Sequence, residues 1–142
     1  MNFAGSCLCG TVRFSAEGPS LFFCHCHCRY CRLAHGAAFV TWLGVREQAF
    51  TLTAGEDSLR WFASSQQGRR GFCSQCGTTL FYASELCPGE IHIARALVDG
   101  PVDRAPSAHV FADHAVDWIT LEELPHCTSE HPDLAKYSQV KR

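Results

Sequence analysis

Residues 73–77 read Cys-Ser-Gln-Cys-Gly, and residues 7–10 read Cys-Leu-Cys-Gly. In the first stretch a tight turn, permitted by the glycine, aims both thiols at one point. In the second the cysteines lie two positions apart, and on an extended segment both sulfurs face the same side. The four thiols belong to Cys7, Cys9, Cys73 and Cys76. Four thiolates fill a tetrahedral zinc ion, so the sequence predicts a closed, structural zinc site that ties the N-terminal segment to a later hairpin.

A second, denser group of cysteines occupies residues 24–31, which read Cys-His-Cys-His-Cys-Arg-Tyr-Cys. Its most compact chelating unit consists of Cys26, Cys28 and Cys31. Three thiolates leave the fourth position of a zinc ion to water, a substrate thiolate or another side chain, which is the arrangement expected of catalytic zinc. We therefore predict an open second zinc site, and two zinc ions per chain.

Cys24 leaves an alternative for this second site. On an extended strand Cys24 shares a face with Cys26 and Cys28, so its thiolate could complete the zinc ligands and close the site. His25 and His27 would then point to the opposite face, where they could be core or surface histidines instead of ligands.

The alternative to metal binding for the ten cysteines is a set of disulfide bonds. Most of them fall in C-x-C or C-x-x-C spacings. Two cysteines in a C-x-C spacing are too close in sequence to form an unstrained disulfide. The N-terminus has neither the basic stretch nor the apolar run of a secretory signal, and no run of about 18 apolar residues indicates a membrane span. We expect a cytoplasmic protein, in a compartment where thiols stay reduced and bind metal.

The charge of the chain argues against a nucleic-acid partner. Twelve basic and 14 acidic residues give a formal net charge of −2, whereas a protein that neutralises phosphates is normally basic. The length of 142 residues and the 46% hydrophobic content suit one domain. We assign that domain to residues 4–124 and a polar C-terminal tail, frayed over its last dozen residues, to 125–142.

Short strands dominate the predicted secondary structure, because alternating apolar residues recur between turn signals and helical periodicity is scarce. A single helical turn follows Cys31 and stops at Gly36. The strands are expected within residues 8–14, 21–23, 38–43, 50–53, 59–62, 79–82, 90–97 and 116–121. This pattern predicts a mainly β, single-domain fold with little helix.

In combination, these motifs resemble the glutathione-dependent formaldehyde-activating enzyme family, which includes centromere-protein-V-like zinc domains. The resemblance spans about residues 4–121. It rests on Gly-Ser-Cys-Leu-Cys-Gly at 5–10, Cys-His-Cys-Arg-Tyr-Cys-Arg at 26–32 with Gly36 following, Arg-Gly-Phe-Cys-Ser-Gln-Cys-Gly at 70–77, Pro-Ser-Ala-His-Val-Phe at 106–111, and Trp118.

The resemblance implies several coiled antiparallel sheets around zinc knuckles, as in a Rab-associated (Mss-type) zinc protein. It also implies structural zinc at Cys7, Cys9, Cys73 and Cys76, and catalytic zinc at Cys26, Cys28 and Cys31. The implied activity is that of a carbon–sulfur lyase, the reversible joining of glutathione and formaldehyde to S-hydroxymethylglutathione. Our hypothesis is that a thiol substrate occupies the fourth position of the second zinc.

Other residues are assigned around this hypothesis. Arginines suit an anionic thiol, aromatic residues could wall a pocket, and His35 is the best candidate outside the cysteines for acid–base chemistry. Cys87 and Cys127 are expected to be free thiols, although Cys87 could approach a metal if its loop folds back. The candidate arginines are Arg29, Arg32, Arg69 and Arg70, and the candidate aromatic residues are Phe39, Trp42 and Trp61. The alternative from another functional class is a non-catalytic, zinc-stabilised binding module for a protein or a small ligand.

Overall fold

The computed structural model describes residues 1–137 and contains two β-sheets and two short α-helices. The strands are β1 (Asn2–Ser6), β2 (Arg13–Glu17), β3 (Phe22–Cys26), β4 (Val40–Arg46), β5 (Phe50–Ala54), β6 (Leu59–Ala63), β7 (Gly68–Cys73), β8 (Thr79–Ser84), β9 (Glu90–Ala94), β10 (His109–Val110) and β11 (His126–Cys127). The helices are α1 (Arg29–His35) and α2 (Pro132–Ala135). The predicted mainly β fold is confirmed.

The strands form a three-stranded and an eight-stranded sheet. The smaller sheet has the antiparallel order β1-β2-β5, and the larger has the order β11-β10-β3-β4-β9-β8-β7-β6. Only β10 pairs in parallel within the described chain, with β3 on one side and β11 on the other. Strands β1 and β2 therefore belong to a different sheet from β7 and β8. A contact between the β1–β2 connection and the β7–β8 connection thus links the two sheets.

Three local predictions differ from the structure. Residues 7–10 form a turn, in which Gly10 has a φ of 77°, and the strand begins only at Arg13. Residues 116–121 form no strand, and the Trp118 side chain is 68% exposed, because this segment runs over the surface and pairs with no neighbour. Residues 126–137, predicted to be a polar tail, include β11 and α2; residues 138–142 lie outside the described part.

Helix α1 ends where the sequence predicts, but it begins at Arg29, before Cys31, and not after it. It begins after Cys28, whose side chain accepts a hydrogen bond from the backbone N–H of Cys31, and it ends at Gly36, which has a φ of 58°. Glycine adopts this left-handed conformation without the strain that a Cβ atom adds. Among residues 1–137, no helix combines the length and the apolar character that a membrane crossing needs.

The main hydrophobic core lies between the two sheets. Phe3 and Phe14 from the small sheet join Leu43, Phe81 and Ile93 from the large one in a single buried cluster. The rings of Phe14 and Phe81 meet edge to face with centroids 5.3 Å apart. A second buried cluster surrounds the cysteines near α1. Leu43 and Trp42 are adjacent in β4 and belong to different clusters, so the two faces of the large sheet are packed differently.

Leu43 provides a direct test of this core. Its side chain is fully buried, and Leu43→Ala is expected to lower the free energy of unfolding by about 2–5 kcal/mol, because it leaves a cavity between the sheets. Urea unfolding measures this loss. The control is Leu33→Ala on α1, where the side chain is 47% exposed and the expected change is within about 0.5 kcal/mol. Equal midpoints for both variants would contradict the assigned core.

Candidate functional site

The first cysteine group lies where the β1–β2 connection meets the β7–β8 connection. Sγ of Cys7 is 3.6 Å from Sγ of Cys9, and Sγ of Cys9 is 3.9 Å from Sγ of Cys73. With Cys76 included, the four sulfurs all lie within 4.8 Å of one another. Cys7 and Cys73 are buried, whereas Cys9 is exposed at the rim of the group. The structure thus gathers the four cysteines into a group that could hold one metal ion.

Both turns of this group donate backbone N–H groups to sulfur. The N–H of Val12 donates to Sγ of Cys7 at 3.3 Å, and the N–H of Gln75 donates to Sγ of Cys73 at 3.4 Å. The second turn closes at Gly77, which has a φ of 80°. The sulfurs therefore converge from two turns, and not from the extended N-terminal segment that the sequence predicted.

The second group lies at the start of α1. Cys26 ends strand β3, Cys28 precedes the helix and Cys31 lies in its first turn, and their three sulfurs also lie within 4.8 Å of one another. Sγ of Cys31 is 3.6 Å from Sγ of Cys26. All three side chains are buried. A strand end followed directly by a helical turn brings these cysteines together with no contribution from distant segments.

Two side chains from neighbouring strands approach Cys31. The indole Nε1–H of Trp42 donates to its Sγ at 3.4 Å, and both terminal nitrogens of Arg70 donate to it at 3.7 Å. The thiols of Cys26 and Cys28, followed by the charge of Arg70, hold the pKa of Cys31 well below its usual value. Cys31 is therefore the sulfur of this group that most readily carries negative charge.

Arg70 carries its positive charge in the interior of the protein. Its side chain is almost fully buried, and its guanidinium lies over the ring of Tyr82, 5.0 Å from the centroid. The ion pairs formed within residues 1–137 all join a histidine to a carboxylate, so Arg70 has no carboxylate partner there. A buried charge needs a compensating charge, and the cysteine group is the nearest source of one.

Cys24 lies outside the compact group. It lines the same cavity as Cys26, Cys28 and Cys31, but its sulfur is not among the three that lie within 4.8 Å of one another. Burial, followed by the nearby charges of Cys31 and Cys127, raises the pKa of Cys24 to about 12. In this geometry the second group offers three sulfurs rather than four.

The histidines between these cysteines point away from the group. Nε2 of His27 is 2.8 Å from Nδ1 of His109, and Nε2 of His109 in turn contacts the carbonyl oxygen of Glu122 at 2.9 Å. His25 packs its ring against Phe39. Burial lowers the pKa of His27 to about 4. These histidines anchor β3 to β10 and the segment beyond it, as the alternation along the strand predicts for the opposite face.

A cavity of about 410 Å³ opens beside the second cysteine group. Trp42, Arg70 and Tyr82 line it from the large sheet, and Leu134 and Tyr137 line it from the C-terminal segment. Its size is typical of sites for small molecules. The three-cysteine group therefore borders a space for a ligand, whereas no cysteine of the four-cysteine group lines this cavity.

Several other residues singled out in the sequence lie elsewhere. Arg69 is exposed and stacks on Trp61, at 4.3 Å from the ring centroid, and Arg32 donates to the carbonyl of His27 at 3.3 Å. Arg29 is exposed. His35 packs against Trp42, and burial lowers its pKa to about 4, so it is neutral at pH 7. The following side chains do not line the cavity: Arg29, Arg32, Arg69, His35, Phe39 and Trp61.

The sequence interpretation missed one group that does line the cavity. Cys87, Glu90 and His92 follow one another around the β8–β9 connection, and their donor atoms lie within 4.8 Å of one another. The spacing Cys-x-x-Glu-x-His at 87–92 was the available signal, but it matches no common metal motif. Cys87 was expected to be a free thiol in a loop.

The donor sets of both cysteine groups fit zinc. Four thiolates make a complete tetrahedral structural set, and three thiolates beside a cavity leave one position open, as in catalytic sites. The buried Arg70 provides independent support, because a zinc ion with three thiolates has a net charge of −1 that the guanidinium balances.

Comparison with known proteins gives concordant results. A protein of Halomonas elongata named "Putative glutathione-dependent formaldehyde-activating enzyme" is 28% identical over 142 residues, covering 94% of this chain and 90% of that protein. An uncharacterized lyase of Schizosaccharomyces pombe is 31% identical over 83 residues, 57% of each chain. The crystal structure of a Rhodobacter sphaeroides protein shares the fold, with a TM-score of 0.60 at 21% identity, covering 87% of this chain and 98% of that one.

The family profile described as "Glutathione-dependent formaldehyde-activating enzyme" matches residues 2–114. This range contains both cysteine groups, Trp42, Arg70 and the greater part of both sheets. The chain therefore belongs to the glutathione-dependent formaldehyde-activating enzyme family.

Proposed function

We propose that the protein is a zinc-dependent carbon–sulfur lyase that joins glutathione and formaldehyde reversibly to S-hydroxymethylglutathione. The observation that carries the proposal is the group of Cys26, Cys28 and Cys31, buried at the wall of a cavity and accompanied by the buried cation of Arg70. The family membership and the names of the relatives supply the substrate class.

In this proposal the two cysteine groups hold one zinc ion each and have different roles. The set of Cys7, Cys9, Cys73 and Cys76 has no open position and stabilises the junction of the two sheets. The set of Cys26, Cys28 and Cys31 holds the ion that acts in catalysis. A zinc ion bound there lowers the pKa of a thiol and so supplies a thiolate nucleophile at neutral pH.

The surrounding residues bind and orient the reactants. The positive charge of Arg70 beside Sγ of Cys31 offsets the negative charge of the three thiolates and so reduces the repulsion that an anionic thiol such as glutathione meets in the cavity. The rings of Trp42 and Tyr82 form an apolar wall that limits water near the reacting sulfur. The forward reaction forms one carbon–sulfur bond while the thiol gives up its proton and the aldehyde oxygen gains one. Because both groups need reduced thiols, the proposal places the protein in the cytoplasm.

Cobalt substitution tests the thiol site directly. We expect glutathione at millimolar concentration to change the sulfur-to-cobalt absorption of the cobalt-loaded protein, because a fourth sulfur joins the ligands of the second site. The matched control is Cys28→Ser, in which the response should be lost. An unchanged spectrum at saturating thiol would overturn the proposed role of this site.

The rate of adduct formation separates catalysis from binding. With zinc-loaded protein, formaldehyde and glutathione, exchange-resolved NMR should show S-hydroxymethylglutathione forming faster than in protein-free solution. A cobalt response without any acceleration would instead favour the alternative function, a zinc-stabilised module that binds a small thiol and catalyses nothing.

A further inference from the structure

The end of the β8–β9 connection and the start of β9 carry three different donor groups that converge on one point. The thiol of Cys87 comes from the connection, and the carboxylate of Glu90 and the imidazole of His92 come from strand β9. Nε2 of His92 is 3.8 Å from Sγ of Cys87 and 2.9 Å from Oε2 of Glu90. All three donor atoms lie within 4.8 Å of one another. The three donor atoms are therefore arranged around a common centre, as ligands of a metal ion are.

The single hydrogen of the His92 ring nitrogen accounts for only one of its two contacts at a time. A single ring nitrogen faces both the thiol and the carboxylate, and it carries at most one hydrogen. If that hydrogen points at Glu90, Cys87 has no bond to the ring, and the hydroxyl of Tyr137 donates to its sulfur at 3.4 Å instead. A cation at the centre satisfies the sulfur, the ring nitrogen and the carboxylate oxygen at once.

The setting also favours a bound cation. The side chains of Cys87 and His92 are buried, and that of Glu90 is 31% exposed. The group lines the same cavity as Cys26, Cys28 and Cys31. Cysteine, histidine and glutamate are all ligands of zinc, and three protein ligands leave a fourth position for a small molecule.

We propose that Cys87, Glu90 and His92 bind a further zinc ion, with its open position facing the cavity. This site is separate from the two cysteine groups and does not depend on the lyase reaction. Together with the proposed zinc of Cys26, Cys28 and Cys31, this ion would give the cavity a metal ion on each of two sides. A bound molecule could then contact both ions. The competing reading of the same residues is a metal-free thiol that His92 activates.

The zinc content of the purified protein tests the site first. Protein expressed with added zinc and then dialysed should contain one zinc ion per chain more than the Cys87→Ser and His92→Gln variants. The matched control is Cys127→Ser, whose thiol is outside all three groups and whose zinc content should equal that of the wild type. Far-UV circular dichroism establishes that each variant is folded. Equal zinc content in all four proteins would overturn the proposal.

Alkylation of Cys87 distinguishes the two readings by the sign of an effect. In the zinc-loaded wild type the metal protects the thiol from iodoacetamide, so His92→Gln should increase the rate of alkylation by about tenfold or more, because losing a ligand weakens the site at least as much as losing an outer-shell partner. If His92 instead activates a free thiol, His92→Gln decreases the rate. Mass spectrometry of the peptide containing Cys87 follows the reaction, and a decreased or unchanged rate contradicts the metal site.

Discussion

Replacing Cys76 with serine is expected to unfold the protein under conditions in which the native chain is folded. In the proposed structural site, a zinc ion bound by the four cysteines joins the β1–β2 connection to the β7–β8 connection and so holds the small sheet against the large one. Structural zinc contributes about 10–16 kcal/mol of apparent binding free energy in small domains. A domain of this size is stable by only about 5–15 kcal/mol, so loss of the ion can remove all of it.

Circular dichroism and urea unfolding measure this loss, and zinc analysis accompanies them. The matched control is Cys127→Ser, which removes a half-buried cysteine outside the metal groups and should leave the unfolding midpoint nearly unchanged. A Cys76→Ser protein with native spectrum and native midpoint would show that the four sulfurs do not hold the sheets together through a metal ion.

Cys28→Ser is expected to leave a folded chain that has lost one zinc ion and its lyase activity. Serine is a favourable residue at the start of a helix, so it can replace the cysteine whose sulfur accepts the hydrogen bond from the Cys31 N–H at 3.2 Å. Helix α1 should therefore persist. Metal ions stabilise transition states by several kcal/mol. Loss of the ion from Cys28→Ser should therefore lower the rate of the reaction at least about 100-fold.

The control for this second variant is Cys24→Ser. Cys24 lines the same cavity but lies outside the three-sulfur group, so its loss should change neither the zinc content nor the rate substantially. Loss of zinc from Cys24→Ser, equal to that from Cys28→Ser, would instead support a four-cysteine, closed second site.

The cysteines that lie two or three positions apart were recognisable from the sequence because such short spacings need no distant segment, whereas the meeting of Cys9 with Cys73 joins residues 64 positions apart. Cys26, Cys28 and Cys31 come together through one strand end and one helical turn, and Gly36 ends that helix where the pattern indicates. The conformation of residues 7–10 was not predictable in the same way. Alternation favoured a strand there, but Leu8 is 85% exposed and Gly10 turns the chain back.

The features that the sequence did not predict depend on the packing of segments that are distant in the chain. Arg69 and Arg70 are adjacent in sequence and chemically identical, yet strand β7 exposes the first and buries the second against Cys31. Only the pairing of β7 within the large sheet decides which of them faces the cavity. The contact of Tyr137 with Cys87 likewise joins residues that are 50 positions apart in the chain, and no local pattern predicts it.

The two cysteine groups differ in how much of the chain each must gather. Cys26, Cys28 and Cys31 lie within one short segment, so even an unfolded chain can present all three to zinc. Cys7 and Cys76 meet only when both sheets have assembled. A metal that also binds the unfolded chain stabilises the native state less than its affinity suggests. If both groups bind zinc as we propose, the local group can capture its ion early on the ribosome and contribute little to folding. The long-range group would then be metallated last and would commit the nascent chain to its native form.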